Sequence, residues 1–264
     1  MAEFTAKDVQ RLRQATGAGM MDAKRALEEA NGDFDAAGQW LREKGLAKVA
    51  KLSDRENSQG TVDTAVEGNV GAIVELKCET DFAAKAEDFV SLVQELTALV
   101  VTSGPDAVAE RTSALEDLKI AKRENIEIGK VIRFEAADGN IIDSYLHLQD
   151  GRGVNAVLVE LEGGSRELAH DLAVHIAFTK PGYTTRDEVP AEAVEKERQA
   201  LTDITKAEGK PEQAWPKIVE GRLGSWFAEQ VLMEQKYVKD EKQTIPQLLG
   251  DAKLVRFAQV FVGA

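Results

Sequence analysis

A chain of 264 residues has room for one or two domains with a substantial buried core, and its 43% hydrophobic and 30% charged side chains suit a globular protein. Forty-six acidic against 33 basic side chains give a formal charge of −13, which argues against a broad phosphate-binding face and removes nucleic acid from the expected partners. A single cysteine excludes an internal disulfide, the N-terminus has no basic region followed by an apolar run, and no stretch approaches membrane-span length, so the chain reads as cytoplasmic and free of membrane.

The charge is unevenly placed. The first 55 residues hold ten basic and nine acidic side chains, so of the −13 overall, −14 falls on the remainder. An acidic body with a near-neutral head suits a protein partner. Within the head, Thr5 and Asp8 read as a capped helix start, and Val9 and Leu12 share one face before Thr16-Gly-Ala-Gly19 interrupts. A second helix spans about Asp22 to Ala30 and stops at Asn31-Gly32. Asp33 starts a third, with Phe34, Ala37, Trp40 and Leu41 inward and Gly45 after its end. Three short helices make a small bundle, and the polar stretch Lys48 to Gln59 reads as a linker. Met20 and Met21, directly after Gly19, are either core filler or an adaptable contact surface.

The middle of the chain contains a repeat. Val62 to Val66, a turn at Gly68-Asn69, Ala72 to Leu76 and a helix are echoed by Ile142 to Leu146, a turn at Gly151-Arg-Gly153, Val157 to Leu161 and a helix over Ser165 to Thr179. Each copy reads strand, hairpin, strand, helix, and Glu75 and Glu160 fall at matching places. Between strand and helix the second copy has only Glu162-Gly-Gly-Ser165, whereas the first has the longer segment Cys78 to Asp88. That segment carries Asp81 and Phe82, for which two readings stand. Asp81 caps the next helix with Phe82 stapled beneath it, or both face outward. An insertion in one copy of a duplicated scaffold serves that copy's own task, which favours the outward reading.

Between the copies, Asp106 to Lys122 reads as a helix and Ile128 to Ala136 as a strand that returns through the hairpin turn Asp138-Gly139-Asn140. After the second copy Lys180-Pro-Gly182 stops the helix. Ala191 to Glu208 and Pro211 to Gln235 then form a helical hairpin, with Val194, Leu201, Ile204, Ile218, Leu223, Trp226 and Phe227 available for packing. Thr244 starts another short helix, and Lys253 to Val262 is a final strand, added to the second copy's sheet.

Enzyme chemistry finds little purchase. His170 and His175 lie five apart on a helix, a poor spacing for one metal, and His147 is separate from them. No glycine-rich phosphate loop follows a strand, and Cys78 has no evident base. No cofactor or metal is expected, and the work falls to surfaces.

Two long motifs carry a family resemblance. Thr16-Gly-Ala-Gly-Met-Met-Asp-Ala-Lys-Arg-Ala-Leu27, with Ala30-Asn-Gly-Asp33 behind it, resembles the N-terminal signature of bacterial elongation factor Ts, and Glu79-Thr-Asp-Phe82 followed by Ala83 resembles the second. The likeness continues through Val189 to Glu197, Gly209-Lys-Pro211 and Ile218 to Leu223. It implies an α+β fold: an N-terminal three-helix bundle like the ubiquitin-associated fold, then the duplicated strand-hairpin-strand-helix core with an inserted helical hairpin. The corresponding domains are 1–54, 55–140 and 141–264, the last interrupted by the hairpin at about 181–228. The implied function is exchange of guanine nucleotide on the GTPase elongation factor Tu rather than an enzymatic reaction. In that family, positions matching Met20 and Met21 contact the partner's nucleotide-binding domain, and those matching Thr80, Asp81, Phe82 and Ala83 reach its nucleotide and magnesium site. Tyr145 and His147 match contacts to a more distant domain, although Gln149-Asp150-Gly151-Arg152 departs from the family's short glycine-basic turn. The helical hairpin matches a dimerisation region, so a homodimer is a possible assembly. The alternative is a ubiquitin-associated-type adaptor that binds a peptide or helix through Met20, Met21 and the third helix without exchange activity.

Overall fold

The computed structural model describes residues 4–49 and 52–263. Its first unit contains α1 (Ala6–Thr16), α2 (Met20–Glu29) and α3 (Phe34–Val49). Thr5 and Asp8 cap α1 reciprocally, and Gly17 ends it at a φ of 66°, a left-handed conformation natural to glycine. Val9, Leu12, Ala23, Ala26, Leu27, Ala37 and Leu41 close the small core.

Gly45 does not end the third helix, as its position suggested; α3 continues to Val49. A Cβ at Gly45 would lie 2.9 Å from the Ile120 side chain, so this glycine marks where α3 crosses α6 (Thr112–Lys122). Arg42 strengthens the crossing through Glu116 at 3.2 Å and Asp117 at 2.8 Å. The polar stretch expected as a linker is likewise largely fastened. Lys48 and Val49 belong to α3, residues 50 and 51 lie outside the described residues, and Asn125 Nδ2 donates to the carbonyls of Ser53 and Arg55. Asn57 donates to Glu127 at 3.0 Å. A polar sequence need not be a free one when its polar groups have partners.

The core is two three-stranded antiparallel sheets. The first has the order β1 (Gln59–Glu67), β2 (Val70–Cys78), β3 (Glu127–Glu135); the second is β4 (Asn140–Gln149), β5 (Arg152–Glu162), β8 (Lys253–Phe261). The repeat therefore includes a third strand in each copy. Register repeats as well: Val62 faces Glu75 as Ile142 faces Glu160. Both glutamates sit at irregularities where the central strand meets the third strand. Glu75 accepts the Lys130 N–H at 3.1 Å. Burial opposes charge on Glu160, but hydrogen bonds from Asn140 and Arg256 outweigh it and hold its carboxyl below the ordinary value.

Alternation along the central strands sorts side chains between two layers. Ile73, Val62, Ile142, Ala156 and Leu158 meet where the sheets pack face to face. Ala72, Val74 and Leu76 turn outward under α5 (Glu87–Ser103), while Val157, Val159 and Leu161 turn outward under α7 (Arg166–Thr179). The order is helix, sheet, sheet, helix.

Some elements differ from expectation. Asp138-Gly139-Asn140 turns the chain but closes no hairpin, because β3 pairs with β2 and β4 with β5; the turn passes the chain between sheets. Pro105–Arg111 is a 3₁₀ helix ahead of α6. In the helical hairpin, α8 (Ala191–Ala207) packs on α9 (Trp215–Gln230) around Leu223 and Phe227, but Ile204 is exposed. Beyond α9 a small hairpin, β6 (Lys236–Tyr237) with β7 (Asp240–Thr244), precedes α10 (Ile245–Leu249). Fully buried His175 ties α7 to this segment: Val238 N–H donates to Nδ1 at 3.2 Å, so Nε2–H donates to Gln235 Oε1 at 2.8 Å. Burial lowers its pKa and keeps the ring neutral.

Asp63 offers a direct test of the first copy's packing. It lies on β1 beneath α5, where burial raises its carboxyl pKa despite hydrogen bonding to Thr97, whose one hydroxyl proton also serves the Val93 carbonyl at 2.9 Å. Because folding raises this pKa, the contribution is full below the unfolded value and is lost as pH rises through the folded one. Asp63→Asn should therefore melt above the parent at pH 7, with the advantage disappearing on acidification to about pH 4. Parallel thermal melts across that range check it.

Candidate functional site

The insertion in the first copy forms a stiff, projecting tip. β2 ends at Cys78, and α4 (Asp81–Ala84) follows as one isolated turn before α5. Thr80, not Asp81, is its N-cap: Thr80 Oγ1 accepts the Ala83 N–H at 3.2 Å. Ala83 and Ala84 are buried in the first copy's core, and Thr61 Oγ1 donates to the Ala84 carbonyl at 2.8 Å. With its small residues turned inward, the turn presents its large one outward. Phe82 is 83% exposed, and among the described residues it is not stapled beneath the helix.

A reciprocal pair of carboxylates holds the base of the tip. Glu124 Oε2 accepts the N–H groups of Glu79 and Thr80, both at 3.1 Å, while its Oε1 accepts the Thr80 hydroxyl at 2.6 Å. Glu79 Oε1 in return accepts the Asn125 N–H at 2.7 Å. Backbone donors that a short loop would leave to water are thus satisfied from the segment before β3. Glu124 and Asn125 were not singled out in the sequence, since no spacing connects them to residue 80.

Asp81 has a partner of its own. Lys85 Nζ lies 2.7 Å from Asp81 Oδ2 and 3.2 Å from Asp150 Oδ2. The Lys85 hydrogen bond holds the Asp81 carboxyl below the ordinary aspartate range. Asp150 belongs to the β4–β5 turn, so the second copy reaches the first copy's tip. Between them opens a shallow cleft of about 520 Å³ bordered by Gln59, Thr80, Asp81, Phe82, Lys85 and Arg152.

Cys78 is buried just below. Burial first, then the Glu124 charge, push its thiol up to about 12, and Sγ–H donates to the Thr80 carbonyl at 3.1 Å. It packs as a small apolar residue and stays protonated at neutral pH. Among the described residues no group of three or more His, Cys, Asp or Glu is placed to hold a metal ion.

The other sequence candidates lie on separate surfaces. Met20 and Met21 open α2 behind a glycine cap and are 46% and 74% exposed, which removes the core-filler reading. Tyr145 and His147 share one face of β4, an edge strand of its sheet, with the Tyr145 hydroxyl 3.5 Å from His147 Nδ1. Tyr145 also meets His170 edge-on at 6.0 Å, and His170 Nδ1 lies 2.8 Å from Asp143 Oδ2. The register of β4 with β5 carries this row toward the same Gln149–Arg152 turn that borders the tip. Among the described residues no helix is long and apolar enough to cross a membrane.

The family model described as Elongation factor TS matches residues 79–264, starting at the base of the tip. Similar curated proteins named Elongation factor Ts include one from Acidothermus cellulolyticus, 44% identical and covering 100% of this chain and 99% of its own length. That from Thermobifida fusca is 43% identical with the same coverage. That from Micrococcus luteus is 42% identical, over 100% of both chains.

Proposed function

Because the chain belongs to the elongation factor Ts family, we propose that it is a guanine-nucleotide exchange factor which binds the GTPase elongation factor Tu and promotes GDP release. The observation that carries this reading is the Phe82 ring, 83% exposed on a turn whose backbone is tied down at Thr80 and whose neighbours Ala83 and Ala84 are buried. Exposing a phenyl ring to water stabilises nothing within its own chain, whereas a rigid exposed ring can enter a partner. Inserted between packed elements of the GTPase, it favours the arrangement in which nucleotide is held less well, and Asp81 beside it brings a negative charge toward phosphate and magnesium. Thr80 fixes the turn from which both project. The protein supplies contacts and no bond-making chemistry, so the activity is exchange rather than enzymatic turnover.

Met20 and Met21 are assigned to the GTPase's nucleotide-binding domain, and Tyr145 and His147 to a second domain of it. On this reading the chain divides at about residues 54 and 140, and the α8–α9 hairpin is available for a homodimer. Adding the purified chain to elongation factor Tu loaded with fluorescent GDP should accelerate loss of the label in proportion to the factor added. An adaptor that docks only through Met20 and Met21 would bind without changing that rate, and this result would reject exchange activity.

A further inference from the structure

The β4–β5 turn is fastened to the first copy in a way that its own hairpin does not require. Arg152 is only 8% exposed, donates through Nη1 to the Gly60 carbonyl and through Nη2 to Gln59 Oε1 at 3.3 Å, and buries Nε with no hydrogen-bond partner among the described residues. Next to it Gly153 is pressed so closely on β1 that a Cβ would overlap the Val62 carbonyl oxygen. The turn is thus anchored on β1. It then adopts left-handed conformations at Asp150 (φ 52°) and Gly151 (φ 80°), and Asp150 reaches Lys85. An aspartate tolerates that backbone better than most side chains.

Lys85 alone would hold Asp81 loosely, since an exposed pair four residues apart contributes little and leaves both side chains mobile. With Asp150 as a second acceptor on the anchored turn, the ammonium bridges two carboxylates and the Asp81 group has a defined position. We propose that Lys85 and Asp150, anchored through Arg152, are positioning residues for the exchange tip: the second copy of the duplicated core sets the orientation of the Asp81 carboxylate carried by the first. The inference rests on the exchange reading above and adds the residues that prepare its tip. Neither Lys85 nor Asp150 need touch nucleotide to do so.

Asp150→Asn keeps the turn's shape and backbone preference while removing its charge. In the full chain, with the GTPase loaded with fluorescent GDP, it should lower the maximal catalysed release rate by about three- to tenfold, with little change in the factor concentration giving half-maximal rate. Lys85→Met should do the same. The double variant should be no slower than Lys85→Met alone, because both act through one connection. The dependence of the rate on Mg²⁺ should shift in the same direction as in Asp81→Asn, a response that general loosening of the fold would not give. Wild-type rates in both single variants, or fully additive losses, would overturn the positioning role. If Phe82→Ala and Asp81→Asn also exchange normally, the tip reading itself fails; if those two lose exchange while the Lys85 and Asp150 variants keep it, the positioning proposal fails alone.

Discussion

Phe82→Ala should slow catalysed GDP release by about tenfold or more while leaving the melting temperature within about 2 °C of the parent. Exchange catalysis requires factor and nucleotide to weaken each other's hold on the GTPase by the same free energy, typically about 1–3 kcal/mol. Such coupling comes only from contacts made better to the nucleotide-free state. At 83% exposure Phe82 contributes little to its own fold, so its truncation removes almost no contact within the chain, and on the proposed exchange reading what it removes is a contact with the partner. Had the ring been buried, the loss would have been about 3–5 kcal/mol of stability, and activity would have fallen only with the folded fraction. Asp81→Asn should have a smaller effect that varies with Mg²⁺, because Lys85 already offsets part of its charge. Unfolding and GDP release measured on the same preparations separate the cases. A destabilised Phe82→Ala with normal activity per folded molecule would reject the wedge.

What the sequence could reveal about this site was set by how local each cause is. The tip stood out at residues 78–88 because two copies of one scaffold differ there, and a difference in length is visible without coordinates. Phe82 had no strand or helix period to place it inside, and it is outside. The disfavoured reading, with Asp81 as the cap, misses the actual N-cap by one residue: Thr80 and Asp81 are both good capping types, and the choice between them depends on which N–H the turn presents. The ties made by Glu124, Asp150 and Arg152 are illegible in the sequence for another reason. Each acts across a gap, 44 residues from Glu124 to Thr80 and 92 from Arg152 to Gly60, where no spacing rule applies. The same limit explains Gly45, a glycine that reads as a helix stop until Ile120 is seen lying against it.

Glycine also supplies the largest expected stability effect. Gly153→Ala should lower the melting temperature by about 6–12 °C, since overpacking against backbone falls at the upper end of the usual range, about 3 kcal/mol, and each kcal/mol is worth about 2–4 °C in a chain of this size. The added methyl would overlap the Val62 carbonyl oxygen and lie 2.8 Å from Leu146 Cδ1, and a carbonyl in a paired strand cannot rotate away as a side-chain terminus can. Relief requires β5 to part from β1, which separates the copies and withdraws Arg152 from Gly60. Exchange per folded molecule should therefore fall together with stability, in contrast to Phe82→Ala, where the two are uncoupled. Gly71→Ala should be milder, because its added methyl meets side chains rather than backbone, Leu158 Cδ1 at 2.5 Å and Ile142 Cγ2 at 2.9 Å. Gly221, exposed within α9 with nothing among the described residues within 4 Å of an added Cβ, supplies the opposite sign. There Ala should raise the melting temperature, since it favours a helix over glycine by about 0.8–1 kcal/mol. A Gly153→Ala protein that melts with the parent would mean that β1 and β5 are not in close contact, and the connection from the turn to the tip would lose its anchor.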